Sequence, residues 1–366
     1  MHQLLPPLDL SAFSSDYQSA RREFMQRFAA LPKLGLVEHV HHRHPEPGPD
    51  GKPLYADWLL LSKTPNPDKL LVLISGTHGV EGFVGSAIQC DLLGNSVAEL
   101  LEDETLAVLF IHALNPWGFA WLRRCDHEGI DLNRNFVDFK GGLPNNGAYA
   151  TMHRLLSQPA ESVLNGHAPL SLDAITRGQY QYPQGLYFGG HGPSWSRQWL
   201  DSRKNSAIFT KLNHIAVIDL HSGLGPFSYG EVISDHPRHS TGFELARNWY
   251  GANAMSSELG ESVSAPKTGL MDFFWHKLLG DRGCFVTLEF GTYSDREMIN
   301  VLIEEQRYFR LCRERETARD LEDPSVLALR DFFYPTGPSW QQAALLRARQ
   351  IVEGGTSSER QRRVYA

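Results

Sequence analysis

The chain is expected to fold as one α/β domain over residues 1–366, with a mixed, mainly parallel central sheet flanked by helices on both faces. Three observations predict this: short apolar runs recur, helical patterns fall between them, and polar residues crowd the places where the runs end. A strand covered on both faces reads as a continuous apolar run rather than an alternating one. Such runs occur at Asp57–Ser62 (DWLLLS), Leu70–Ser75 (LLVLIS), Leu106–Leu114 (LAVLFIHAL), Ile215–Leu220 (IAVIDL) and Cys284–Phe290 (CFVTLEF). Helical patterns intervene at Gly82–Leu93, Tyr149–Leu156, Trp195–Lys211, Thr241–Tyr250 and Asp295–Arg315. Residues 1–50 and a helical region over 296–366 receive no further assignment, and the last dozen residues, GTSSERQRRVYA, read as a fraying tail.

With 366 residues and 42% hydrophobic content, the chain can bury a substantial core. Its net charge of -7 supplies no basic field for a nucleic-acid backbone or an anionic membrane surface, so small or peptidic partners are expected. No apolar run approaches the roughly 20 residues of a membrane span, and the start, MHQLLPPLDLSAF, lacks the pattern of a signal peptide. A cytoplasmic location is the expectation. Cys90, Cys125, Cys284 and Cys312 form no C-x-x-C pair and read as reduced thiols. No fixed-period repeat or low-complexity tract interrupts the pattern.

Open α/β sheets place their chemistry beyond the carboxyl ends of the strands. Here those ends lead into GTHGVEG, NPWGF and HSGLG, while Glu289 lies within the last run and GTY follows it. His78 and Glu81 stand three residues apart in a Gly-rich turn entering a helix, so an imidazole and a carboxylate can face one point. A catalytic zinc commonly takes two His and one Glu and leaves a position for water, and His221, at the end of AVIDLH, is the best third candidate. On spacing alone an H-x-x-E is common by chance, so a structural reading stays open. His39, His41, His42 and His44 crowd another segment, but no acidic helper sits at a fixed offset, and a structural reading is preferred there and at His112.

Between the second and third ends stands NPWGFAWLRRCDHEGIDLNRNF, and with it the chain resembles the zinc metallocarboxypeptidases, in an atypical, bacterial-type branch. The resemblance rests on Asn115-Pro116-Trp117-Gly118-Phe119, then Asp131-Leu132-Asn133-Arg134-Asn135-Phe136, with the upstream H-x-x-E, the later His221-Ser222 and the late Glu289 in the same order. It covers residues 70 to 295 and implies a zinc carboxypeptidase-like fold. It also implies Zn2+ held by His78, Glu81 and His221, with Asp131 orienting His78 from behind. Asp219 could serve His221 in the same way or act as a network carboxylate. Glu289 would be the general base that activates the water at zinc, its structural alternative being an ion pair with an arginine. Asn133 and Arg134 would hold the substrate's free carboxylate, and Arg124 would stabilise the oxyanion, with the adjacent Arg123 as the competing candidate.

The match departs from the digestive carboxypeptidases at one place. Their I-D pair corresponds to Met271-Asp272, and the mobile tyrosine that precedes it falls near Ser264, with no tyrosine between Tyr250 and Tyr293. Met271 would then put an apolar side chain at the pocket floor and favour an apolar substrate. Succinylglutamate desuccinylases and aspartoacylases keep the H-x-x-E, D-x-N-R and late-Glu pieces and manage without that tyrosine, so an N-acyl amino acid deacylase is the alternative to peptide cleavage. Either way the expected partner is a peptide or N-acyl amino acid with a free carboxylate. A non-catalytic carboxylate-binding module is the alternative of another class, opposed by the retention of Glu289. A serine hydrolase lacks its G-x-S-x-G elbow. The loop GQYQYPQGLYFGGHGPSWSR, residues 178–197, reads equally as a lid or rim of the site and as packed aromatics, and His191 within it has no assigned role.

Overall fold

A computed structural model describes residues 7–158, 170–251 and 254–356. Among these residues eight strands form one sheet: β1 (Leu36–Arg43), β2 (Tyr55–Ser62), β3 (Lys69–Ser75), β4 (Leu106–His112), β5 (His214–Gly223), β6 (Gly230–Ile233), β7 (Ala254–Met255) and β8 (Gly283–Gly291). Their order across the sheet is β1-β2-β4-β3-β5-β8-β6-β7. The central strands β4, β3, β5 and β8 run parallel, while β1, β2 and β6 pair antiparallel with their inner neighbours. The five apolar runs are all strands, and the expected mixed sheet is the observed one.

The apolar runs divide between two layers because successive strand side chains point to opposite faces. On one face Leu71 and Leu73 of β3 pack with Val84 and Ile88 of the Gly82–Asn95 helix and with Trp340 and Leu345 of the Pro338–Thr356 helix. On the other, Leu70, Val72 and Ile74 pack with Trp199, Phe209 and Trp275. Each fully buried side chain of this kind contributes about 1.5 to 3 kcal/mol, so helix cover on both faces is required by the pattern.

One helical and one strand expectation change in detail. The Trp195–Lys211 pattern splits into helices Trp195–Arg203 and Ala207–Lys211, because Ser206 turns to an extended ψ of 140°. The run ending at Leu114 leaves the sheet after His112, where Ala113 takes a positive φ of 56°. The Tyr149–Leu156 and Thr241–Tyr250 helices match their expected bounds. The previously unassigned ends are structured as the Tyr17–Ala29 helix, the β1 edge strand, and the Pro324–Phe333 and Pro338–Thr356 helices. The expected fraying tail enters the last helix at Gly355 and Thr356, and its residues 357–366 lie outside the described residues. Among the described residues no helix is long and apolar enough to cross a membrane.

The sheet grows in both directions from β3, which pairs with β4 on one side and β5 on the other. Chains leaving adjacent parallel strands toward opposite sides open a crevice at their carboxyl ends. Into that crevice run Gly76–Glu81 after β3, His221 at the end of β5 and Glu289 near the end of β8.

Candidate metal centre

The turn after β3 is held in place by its neighbour in the chain's next layer. Asn115 caps the Pro116–Ala120 helix by accepting from Gly118 N, and Pro116 occupies the first helical position, which favours a helix start at NPWG. This helix presses so closely on the metal turn that a Cβ on Gly79 would stand 2.0 Å from the carbonyl carbon of Gly118. The amides of Gly79 and Val80 donate to the carbonyls of Arg124 and Arg123. The NPWGF segment therefore sets the position of His78 and Glu81 through backbone contact.

His78, Glu81 and His221 meet at one buried point, with one ligand atom of each within 4.8 Å of the others. His221 Nδ1 lies 2.9 Å from Glu81 Oε2, and His78 Nδ1 lies 2.9 Å from Glu81 Oε1. The far nitrogens face carboxylates: His78 Nε2 is 3.1 Å from Asp131 Oδ1 and His221 Nε2 is 2.6 Å from Asp219 Oδ2. With a proton on each Nε2, both Nδ1 lone pairs are aimed at the common point beside Glu81. His78 Nδ1 is buried and forms no hydrogen bond despite its nearness to Glu81. Two imidazoles and one carboxylate, with one buried ring nitrogen left without a hydrogen-bond partner, are a donor set that fits zinc.

Electrostatics point the same way. Burial opposes charge on Glu81 and Asp131, yet His78 and His221 hold the Glu81 carboxyl below its ordinary range, and Arg124 and His78 hold Asp131 well below it. His221 is held well above its ordinary range against its burial by Asp219 and Glu81. A cation is favoured where these carboxylates converge.

The two adjacent arginines separate. Arg123 is buried against Glu305 at 2.8 Å and stacks on Phe309, outside the cavity. Arg124 lines the cavity, donating to Asp131 Oδ2 and Glu81 Oε1 at 3.0 Å each, with Nη2 2.8 Å from His78 Nε2. A neutral ring serves one partner at a time, so a protonated Nε2 donates to Asp131 and leaves Arg124 to the cavity.

Glu289 lines the same cavity, 7% exposed, and accepts from Leu224 N at 3.0 Å. Burial, reinforced by the Glu81 carboxylate, raises its carboxyl to about 7. Among the described residues no arginine pairs with it, so its ion-pair reading finds no partner there. Arg134 is 1% exposed and anchored to the carbonyls of Thr176 and Asn133. These bonds use three of its five N–H groups and leave two for the cavity it lines. Among the described residues no carboxylate forms an ion pair with it. Asn133 also lines the cavity, its side-chain oxygen accepting from Met271 N at 2.8 Å.

Met271 does not form the pocket floor. It is the residue just before the Asp272–Leu279 helix, and its side chain turns into the core with Trp275 and Phe285. Its neighbours Leu270 and Asp272 line the cavity instead. The expected role falls because a short motif match fixes a position along the chain, whereas side-chain direction depends on how the helix meets the sheet.

Sequence reasoning missed Tyr187. The 178–197 loop packs inward, with Tyr180 donating to Arg134 O and Asn135 donating to the carbonyls of Gly189 and Gly192. This places Tyr187 in the cavity wall with the Arg124 and Arg134 guanidinium carbons 5.1 and 5.3 Å from its ring centre. Its φ of +55° is rare for a bulky residue, and that strain is held by the loop's bonds. The length of the loop was the only signal. His191 contacts Tyr180 O at 3.1 Å and stays outside the cavity wall.

A family described as "Protein of unknown function (DUF2817)" matches residues 13–347. The chain belongs to that family. No curated protein sequence matches this DUF2817 chain. Among solved structures it is similar to bovine thrombin-activatable fibrinolysis inhibitor in complex with tick carboxypeptidase inhibitor. That match has 14% identity and a TM-score of 0.51, and covers 95% of this chain and 98% of the other. Carboxypeptidase A from Helicoverpa armigera matches at 12% identity and a TM-score of 0.46, covering 92% of this chain and 74% of the other. A succinylglutamate desuccinylase from a Silicibacter species matches at 14% identity and a TM-score of 0.40, covering 80% and 70%. The fold is carboxypeptidase-like.

Proposed function

We propose that this chain is a zinc-dependent hydrolase that cleaves an amide bond next to a free carboxylate. The observation that carries the reading is that one cavity of about 900 Å³, mouth included, collects the His78–Glu81–His221 donors, Glu289, and the unpaired guanidinium of Arg134. His78, Glu81 and His221 would hold the zinc ion, which when bound supplies Lewis-acid polarisation to water and to the scissile carbonyl.

The chain's own residues supply the rest. Arg134 grips the terminal carboxylate with its two free N–H groups and so fixes the scissile amide in the cavity. Asn133, held by the Met271 amide, borders the same end. Glu289 takes the proton of the attacking water, and its raised carboxyl then returns that proton to the leaving nitrogen. Arg124 turns its N–H groups toward the oxygen that gains charge. Tyr187 walls off both guanidiniums, and the lower local polarity strengthens their hold on anions.

Removal of an N-acyl group remains the second reading of the same machinery, since it too cleaves an amide beside a carboxylate. The test is a screen of zinc-loaded protein against short peptides and N-acyl amino acids. Hydrolysis is expected, with Glu289→Gln slowing kcat by about 10² to 10⁴-fold at unchanged zinc content. A protein that binds no stoichiometric zinc by elemental analysis, or a Glu289→Gln variant with full activity, would overturn the proposal.

A further inference from the structure

The cavity has a buried end and an open one. Arg134 is buried, and around it the lining is polar at Asn133 and Asp272, with Asp235 beside Asp272. Leu172 and Val263 line the same cavity but are exposed, so they mark its mouth. A substrate anchored on Arg134 by its carboxylate reaches out past these two side chains with its other end, which is the acyl part of the amide. Asp173 and Asp295 border the same mouth and set carboxylates against an acyl group that ends in one.

Beyond Val263 the apolar surface continues. Val263 packs on the turn at Gly225, where a Cβ would stand 3.8 Å from its methyl carbons. Two residues on, Phe227 is 51% exposed, and its ring centre lies 5.7 Å from that of Tyr293, which is 44% exposed. Tyr293 lies 5.7 Å from Phe332, whose neighbour Phe333 lines the cavity. The two exposed aromatics sit on a fixed frame. Ser228 N donates to Gly291 O, Gly291 N donates to Tyr229 O, and the Thr292 hydroxyl donates to Gly223 O, so both turns are tied to the ends of β5 and β8. The band starts beside Glu289, which accepts from Leu224 N, and ends in solvent. Exposed apolar area on a rigid frame beside a cavity marks a surface that a ligand covers, and continuity with the lining through Leu224 and Phe333 points to the substrate as that ligand.

We propose that Val263, Phe227 and Tyr293 form an acyl-side subsite, and that the amide this chain cleaves carries an apolar acyl group large enough to reach them. The group is either a hydrocarbon acyl chain or the apolar residue before the scissile bond of a peptide. This deepens the hydrolase reading and rests on it for the place of the carboxylate.

The test is a binding series in which the amino-acid end is always glycine, so no side chain other than the acyl group varies. Protein carrying Glu289→Gln and supplied with zinc, which leaves the compounds intact, is titrated calorimetrically with N-acetylglycine, N-octanoylglycine, N-succinylglycine and N-acetyl-phenylalanylglycine. The octanoyl or the phenylalanyl compound is expected to bind about tenfold or more tightly than acetylglycine, and whichever is tighter tells a hydrocarbon chain from a peptide. Phe227→Ser with Tyr293→Ser, both at exposed positions, is expected to bring that ratio within about threefold, while Val37→Ser on the opposite edge strand β1 keeps it. A ratio within threefold in the parent protein, a ratio that survives the double substitution, a succinyl compound that binds tightest, or no binding of either apolar compound at about 10 mM overturns the subsite. The apolar preference without hydrolysis of any of these amides by the native chain keeps the subsite and defeats the hydrolase reading. Hydrolysis of the acetyl and both apolar compounds at equal kcat/KM overturns the subsite and leaves the hydrolase reading standing.

Discussion

At Asp219 two donors converge on one carboxylate: the Thr77 hydroxyl at 2.8 Å and the His221 Nε2 at 2.6 Å. The threonine fixes the carboxylate, the carboxylate fixes the ring, and the ring's other nitrogen is left facing Glu81. Removing such a partner weakens metal affinity by about 10 to 100-fold. Asp219→Asn is accordingly expected to lose zinc to a competing chelator at that much lower chelator concentration, while its folded spectrum is unchanged. Retention of full affinity would return Asp219 to its alternative reading as a network carboxylate. Arg123 and Arg124 show how much one position matters, since a single step along the chain separates a structural ion pair with Glu305 from a side chain in the cavity. His39 and His112 likewise settle as structural residues, His39 on Asp57 at 3.1 Å and His112 on the Ser86 hydroxyl at 2.8 Å.

The elements carry the site by backbone contact as much as by side chains. The 3-10 turn Gly79–Glu81 leans on the Pro116–Ala120 helix with no room for a methyl group at Gly79, whose Cβ would meet backbone atoms that cannot swing aside. Gly79→Ala is expected to cost about 1 to 3 kcal/mol of stability. It should also weaken zinc binding, because the turn can relieve the clash only by moving His78 and Glu81. Gly147→Ala, at a site with nothing within 4 Å, serves as the control in denaturant melts. Equal midpoints for the two variants would mean that the NPWGF segment does not position the metal turn. The 178–197 loop is the second such element, and its two sequence readings merge: its aromatics pack, and by packing they bring Tyr187 to the cavity.

Across the whole molecule the edge of the sheet is tied to the N-terminal helix through Asp57, which accepts from Arg21 at 2.7 and 2.9 Å and faces His39. Burial pushes the Asp57 carboxyl up, but the bonds from His39 and Arg21 outweigh it and hold it down to about 2 against an ordinary 3.8. A depressed carboxyl stabilises the fold fully above its unfolded pKa, and the contribution drains away as pH falls from about 4 toward 2. Its size is roughly 2 to 3 kcal/mol. Unfolding free energies measured across that range are expected to fall less steeply in Asp57→Asn than in the native chain, and parallel slopes would dismiss the linkage. The strands were legible in the chain because a strand buried on both faces has no polar positions to spare, as LLVLIS shows. The meeting of His78, Glu81, His221 and Glu289 was legible for a related reason: strand ends in such sheets open into the crevice, so a polar residue at an apolar run's end already borders it. The direction of Met271, the parting of Arg123 from Arg124, and the arrival of Tyr187, Asp235 and Asp272 at one cavity were not legible. Each depends on how a helix or loop docks against the sheet, and docking is set by long-range packing between segments that local pattern and motif spacing do not encode.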